Sequence, residues 1–154
     1  MLYLKREHLE RMRGHGRRVY PYECCGFLVG RMDGGERRVV EVRAAGNEKA
    51  AQEASRRFWI SPENYFQLEL RARKAGLEIL GVYHSHPDHP GEPSEFDREH
   101  ALPGWSYIVF SVRREGPGRI GSWLLAEDRS RFRPEAIQLL DGSQAPAPEH
   151  DSGD

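Results

Sequence analysis

The sequence predicts an α+β domain, with one mixed, largely antiparallel β-sheet carrying about three helices. Three observations predict it. Short apolar or alternating runs recur along the chain, each closed by proline or glycine. Between them lie one stretch with helical spacing and two helix-start signals. The 154 residues, 38% of them apolar, suit one domain that buries roughly 70% of its unfolded surface.

From Arg6 to Val19, Leu9, Met12, Gly16 and Val19 fall on one helical face, although Gly14 and Gly16 weaken the helix and Pro21 ends it. Cys24 to Val29 is an apolar run between Pro21 and Gly30, hence a buried strand. Arg31 to Gly35 reads as a hairpin turn, and Arg37 to Ala45 alternates loosely as its second strand. Asn47 to Arg57 is a polar loop leading into a short strand, Phe58 to Ile60.

Ser61-Pro62 is an N-cap followed by proline at the first helical position. The helix continues with Phe66 and Leu70 four apart and Glu69 and Arg73 as an ion pair, and stops at Gly76. Glu78 to His86 is the third main strand, terminated by Pro87. Asp88 to Pro93 is a loop, and Ser94 opens a short helix. Trp105 to Val112 and Ile120 to Ala126 form a hairpin around Glu115 to Gly118, and Phe132 to Leu140 adds an edge strand. The domain occupies residues 1–140; from Asp141 the Gly, Ser, Ala, Pro and acidic residues predict a disordered tail, 141–154. Trp59, Trp105 and Trp123 read as core or strand residues.

Composition narrows the function classes. With 23 basic and 24 acidic side chains the formal charge is −1, against the basic excess of a general nucleic-acid binder. No apolar run approaches the ~20 residues of a membrane span, and residues 1–10 lack a signal-peptide core. The expectation is a soluble cytoplasmic domain with neither nucleic acid nor membrane as partner. The cysteines, Cys24 and Cys25, are adjacent, which suits neither a disulfide nor a thiolate zinc knuckle. They read as small buried residues, with a reactive thiol the alternative.

The segment from His84 to Asp97 carries the chemistry. Positions i and i+2 of a strand share a side, so His84 and His86 can aim at one point at a sheet end. Asp97, delivered by the turn and helix that follow, offers a third ligand. Two histidines and one carboxylate leave a zinc position open for water, the arrangement of a hydrolytic site. A His-x-His pair also arises on strands without a metal, and Ser94 to Asp97 also reads as a helix cap with an acidic first turn. The cap is compatible with the metal. His89 reads as a solvated loop residue, and His8, His15, His100 and His150 show no partner spacing.

His84-x-His86-Pro87, six residues, then Ser94-x-x-Asp97 resembles the zinc signature of the JAMM/MPN-plus metalloproteases. Pro21 to Gly30 resembles that family's first strand, with Glu23 two before Cys25-Gly26. The likeness covers roughly residues 1 to 140 and implies the family's layering, which is cytidine-deaminase-like. Spacing alone does not select Glu23; the resemblance does. It also implies the roles: one Zn2+ per chain on His84, His86 and Asp97, Glu23 moving the proton of the attacking water to the leaving amine, and Ser94 donating to the oxyanion. If the strand after Glu23 runs antiparallel to the one ending at His86, Glu23 faces the metal. Ser85 points to the other side and is structural.

Only seven residues separate Asp97 from Trp105, which leaves no room for the insertions that grip ubiquitin in eukaryotic members. The chain therefore resembles the compact prokaryotic branch. That implies hydrolysis of an amide bond at the C-terminal Gly-Gly tail of a ubiquitin-like sulfur-carrier protein, with the tail added as a strand at the sheet edge. The carrier and the released residue are not named by the sequence. Two alternatives stand beside this reading: a non-catalytic MPN scaffold, and a RadC-like nucleic-acid-associated protein. A zinc nucleobase deaminase would need a Pro-Cys-x-x-Cys pair, which the chain lacks. Arg56-Arg57 and Arg71-x-Arg73-Lys74 read as solvated faces, either of which could meet an acidic carrier.

Overall fold

Leu9, Met12 and Gly16 lie on the buried face of a helix over Arg6–Val19 (α1), which runs unbroken through both glycines. The reason is close approach. A Cβ on Gly16 would stand 2.7 Å from the Phe110 ring and 2.9 Å from Val112, so its absence lets α1 press against the sheet. The computed structural model describes residues 1–46 and 61–140. The expected loop at 47–57, the strand at 58–60 with Trp59, the Arg56-Arg57 pair and the tail with His150 lie outside those residues.

The strands are β1 (Leu2–Leu4), β2 (Cys25–Asp33), β3 (Glu36–Ala45), β4 (Glu78–Pro87), β5 (Ser106–Arg113), β6 (Gly116–Leu125), β7 (Phe132–Glu135) and β8 (Ile137–Leu139). Two further helices are α2 (Pro62–Lys74) and α3 (Glu95–His100). The sheet order is β7-β6-β5-β4-β2-β3-β1-β8. Its β1–β3, β1–β8 and β4–β5 pairs are parallel and the rest antiparallel. Fold class and, among the described residues, helix number match the sequence reading.

Several boundaries differ from that reading. β2 continues past Gly30 to Asp33, so only Gly34-Gly35 remains as the turn. The β5–β6 turn is likewise tighter than expected, because β6 starts at Gly116. β1 went unread because three residues give no period. On α2 the residues turned to the core are Leu68 and Ala72, whereas Phe66 and Leu70 are exposed. Its other signals hold: the Ser61 hydroxyl accepts from Asn64 N–H, Arg73 meets Glu69 at 3.1 Å, and Gly76 follows with φ +73°.

The expected edge strand at 132–140 is two strands on opposite ends of the sheet order, separated only by Ala136. Adjacent Cα atoms are 3.8 Å apart, so the sheet curls until its ends meet there, and Leu2 N–H donates to the Ala136 carbonyl at 2.9 Å.

One core lies between α1 and the sheet, built from Leu9, Met12, Leu28, Leu80, Ile108 and Phe110 among others. The second lies on the opposite face under α2, from Phe27, Val29, Leu68, Val82 and Tyr107. Trp123 is buried on β6, and Trp105 packs partly buried against the second core. Cys24 and Cys25 are both buried, and neither is in a disulfide.

Candidate metal centre

β4 ends where its neighbour β2 begins, because the two are antiparallel with Cys25 opposite His84. That register carries Glu23, just ahead of β2, to the mouth of the strand pair. Its Oε1 lies 2.8 Å from His84 Nδ1, and both side chains are almost fully buried. The antiparallel condition set for Glu23 is thus met. Ser85, between the histidines, points the other way; its hydroxyl accepts from Cys24 N–H at 2.9 Å, a structural link.

After Pro87 the chain turns over the strand end. Asp88 N–H donates to the Val112 carbonyl at 2.8 Å, and the Tyr20 hydroxyl donates to Asp88 Oδ2 at 2.6 Å. Gly91 seats the loop, since a Cβ there would lie 2.5 Å from the Arg119 carbonyl oxygen. The loop thereby brings the Pro90 carbonyl 2.9 Å from His86 Nδ1. A carbonyl only accepts, so that nitrogen carries the proton and Nε2 presents its lone pair inward.

α3 brings the carboxylate. Ser94 is its N-cap: the hydroxyl accepts from Asp97 N–H at 3.1 Å, and Ser94 N–H donates to Asp97 Oδ2 at 2.8 Å. The same oxygen lies 3.2 Å from His86 Nε2 and 3.6 Å from His84 Nε2. Helix cap and candidate ligand are one device, since the cap fixes the backbone that aims Asp97. The Ser94 hydroxyl sits at the exposed rim with its proton still available.

Glu23, His84, His86 and Asp97 each offer an atom, and the four atoms lie within 4.8 Å of one another. Burial works to raise the Asp97 carboxyl pKa, but the charge of the His84 imidazole and the Ser94 N–H hold it well below the usual carboxylate range. Burial opposes charge on His84, yet Asp97 and Glu23 outweigh it and the imidazole pKa rises. The donor set fits a divalent cation: two imidazoles and carboxylate oxygen, buried at a strand end, with one imidazole held by a backbone carbonyl as ligating histidines are.

Two hollows flank the centre. One, about 360 Å³, is walled by Phe27, Tyr65, Val82, Trp105 and Tyr107 and reaches His84 and Asp97. The other, about 490 Å³, is bordered by Glu23, His86, Ser94 and the Pro90–Pro93 loop.

The other described histidines stand outside the cluster. His89 is exposed, His8 accepts from Lys5 N–H at 3.0 Å, His15 meets the Tyr83 hydroxyl at 2.8 Å, and His100 meets the Phe96 carbonyl. Sequence reasoning missed the Pro90 carbonyl and the aromatic wall. A Pro-Gly turn after His86 hints at the first; nothing local marks Tyr65 or Trp105 as neighbours of the site.

Residues 5–126 match the family model described as prokaryotic homologs of the JAB domain. The chain belongs to that family. Several known proteins are similar to this JAB domain. It is 35% identical over 92 residues to a desampylase of Haloferax volcanii, covering 59% of this chain and 63% of that protein. A desampylase of Pyrococcus furiosus is 32% identical over 105 residues, 68% of each chain. A protein of Desulfitobacterium hafniense, solved in solution, superposes with a TM-score of 0.79 at 30% identity, over 98% of this chain and 99% of that one. One from Salinibacter ruber gives 0.69 at 39% identity, over 97% and 94%. Among the described residues of this JAB domain, no helix is long and apolar enough to cross a membrane.

Proposed function

We propose that the chain is a zinc-dependent isopeptidase that hydrolyses an amide bond at the C-terminal Gly-Gly tail of a ubiquitin-like sulfur-carrier protein. The observation that carries it is the meeting of Glu23, His84, His86 and Asp97 within 4.8 Å in a member of the JAB family. The desampylases among its relatives support a peptidase or isopeptidase reading.

In this reading His84, His86 and Asp97 hold the ion. Bound there, zinc would supply Lewis-acid chemistry, bringing hydroxide within reach near neutral pH and polarising a carbonyl. Glu23, buried beside His84, takes the proton of the attacking water and hands it to the amine as the C–N bond breaks. The Ser94 proton meets the developing oxyanion. Because Glu23 borders the polar hollow, the leaving amine lies there, and the acyl-bearing tail approaches from the aromatic side. The ubiquitin-like fold of the carrier and the open rim at α3 fit a tail that arrives extended.

The test is cleavage of a Gly-Gly-ending carrier fused to a C-terminal extension. Glu23→Gln should retain zinc and lose activity by roughly 10²–10⁴-fold, whereas His84→Ala should lower zinc content itself. A Glu23→Gln enzyme as fast as the parent would overturn the assignment.

A further inference from the structure

Asp97 rides on a helix that cannot hold itself in place. α3 has six residues and none of them is buried as a whole, so it lacks both the length for independent stability and a fully buried residue of its own to anchor it. Its last carbonyls are nevertheless satisfied. Arg129, in the turn between β6 and β7, donates from Nη1 to the Ala101 carbonyl at 2.8 Å and from Nη2 to those of Glu99 at 3.1 Å and Arg98 at 3.4 Å. Arg98 reciprocates, its Nη1 donating to the Arg129 carbonyl at 2.8 Å.

The turn is built to present that arginine. Arg129 has φ +63°, a left-handed conformation that a long side chain adopts only when its surroundings demand it. Arg129 N–H donates to the Ala126 carbonyl at 2.8 Å, Ala126 N–H to that of Arg131 at 2.9 Å, and Asp128 ties down Ser130 through N–H and hydroxyl at 3.0 and 2.6 Å. A planar fork with several donors suits diverging carbonyls, and its charge sits at the negative end of the helix.

We propose that Arg129 is a positioning residue for the metal centre: it clamps the C-terminal end of α3 so that Asp97, within about one turn of the held carbonyls, keeps its oxygen between His84 and His86. This rests on Asp97 being a metal ligand, as in the proposed function. Without the clamp α3 would pivot on its Ser94 cap, and the Asp97 oxygen would sample positions too far from the imidazoles.

The experiment uses the full chain and Co2+ and Zn2+ as probes, with Asp97→Ala as reference and Arg131→Ala, an exposed residue of the same turn, as control. Arg129→Ala should weaken Zn2+ affinity about 10–100-fold, the range for groups that hold a metal ligand in place, and alter the visible spectrum of the Co2+ form. Arg129→Lys, with a charge but no fork, should recover only part of both and serves if the alanine variant does not fold. In a double-mutant cycle Arg129→Ala should add nothing to Asp97→Ala. Arg131→Ala should match the parent. If folded Arg129 variants lose thermal stability but keep parental affinity and spectrum, the clamp is only structural and the inference falls. If Asp97→Ala itself leaves both unchanged, the metal-site reading falls instead.

Discussion

The Arg37 guanidinium lies 3.9 Å from the Glu135 carboxylate, with both side chains buried where the two ends of the sheet meet. Glu135 Oε1 also accepts from the Ser106 and Ser122 hydroxyls at 2.7 and 2.8 Å, and Arg37 donates to Ser106 and the Leu80 carbonyl. Removing one partner of such a pair strands the other charge. Glu135→Ala should therefore cost about 3–5 kcal/mol, and Arg37→Met with Glu135→Leu together far less. Urea unfolding of the three proteins checks this; equal losses in the single and double variants would contradict it.

The acid cluster makes the metal-free protein pH-sensitive in both directions. Asp97, with its pKa lowered in the fold, contributes stability present above its unfolded value near ~4 and lost as pH falls. His84, with its pKa raised, contributes stability present below ~6.5 and lost as pH rises through the folded value. With chelator, the contribution of this pair should peak between those limits. Added zinc should stabilise increasingly above them, since the His84 imidazole must shed its extra proton to bind. Melting temperatures from pH 4 to 8, with and without zinc, provide the measurement.

The cysteines should be chemically silent. Burial pushes the Cys24 thiol up to about 12 despite its link to Ser85, and burial likewise raises Tyr107 to about 12. The unfolded thiol ionises near ~8.5 while the folded one keeps its proton, so stability should decline as pH climbs above roughly 8.5. A thiol reagent should modify neither cysteine at neutral pH until denaturant is added. Rapid modification of the native chain would restore the reactive-thiol alternative.

What was legible in the sequence follows how far each signal reaches. Ser61-Pro62, Gly76 and the Ser94–Asp97 cap are local, and all three fall where the spacing puts them. The His84/His86 pair is local too, but the β2–β4 register is needed to bring Glu23 to it. The spacing of Phe66 and Leu70 marks the helix rightly but not its buried face, since both are exposed while Leu68 and Ala72 face inward. The split of 132–140 into β7 and β8 was invisible because both pieces are strand; only the closing of the sheet separates them. The hold of Arg129 on α3 spans about 30 residues and carries no periodic mark.

The last prediction concerns the loop over His86. Gly91 lies so near β6 that an alanine Cβ would meet the Arg119 carbonyl oxygen at 2.5 Å and the Ser111 nitrogen at 3.0 Å. Backbone atoms cannot yield as a side-chain tip can, so Gly91→Ala must lift the loop. The Pro90 carbonyl moves with it, and His86 Nδ1 loses the acceptor, now 2.9 Å away, that fixes its tautomer and ring angle. Zinc affinity should fall about 10–100-fold, while urea unfolding of the metal-free chain, whose cores the loop does not enter, should change by less than ~1 kcal/mol. Pro93→Ala, which adds no atom to the contact, should leave affinity close to that of the parent. Parental zinc affinity in Gly91→Ala would mean that the Pro90 carbonyl does not orient His86.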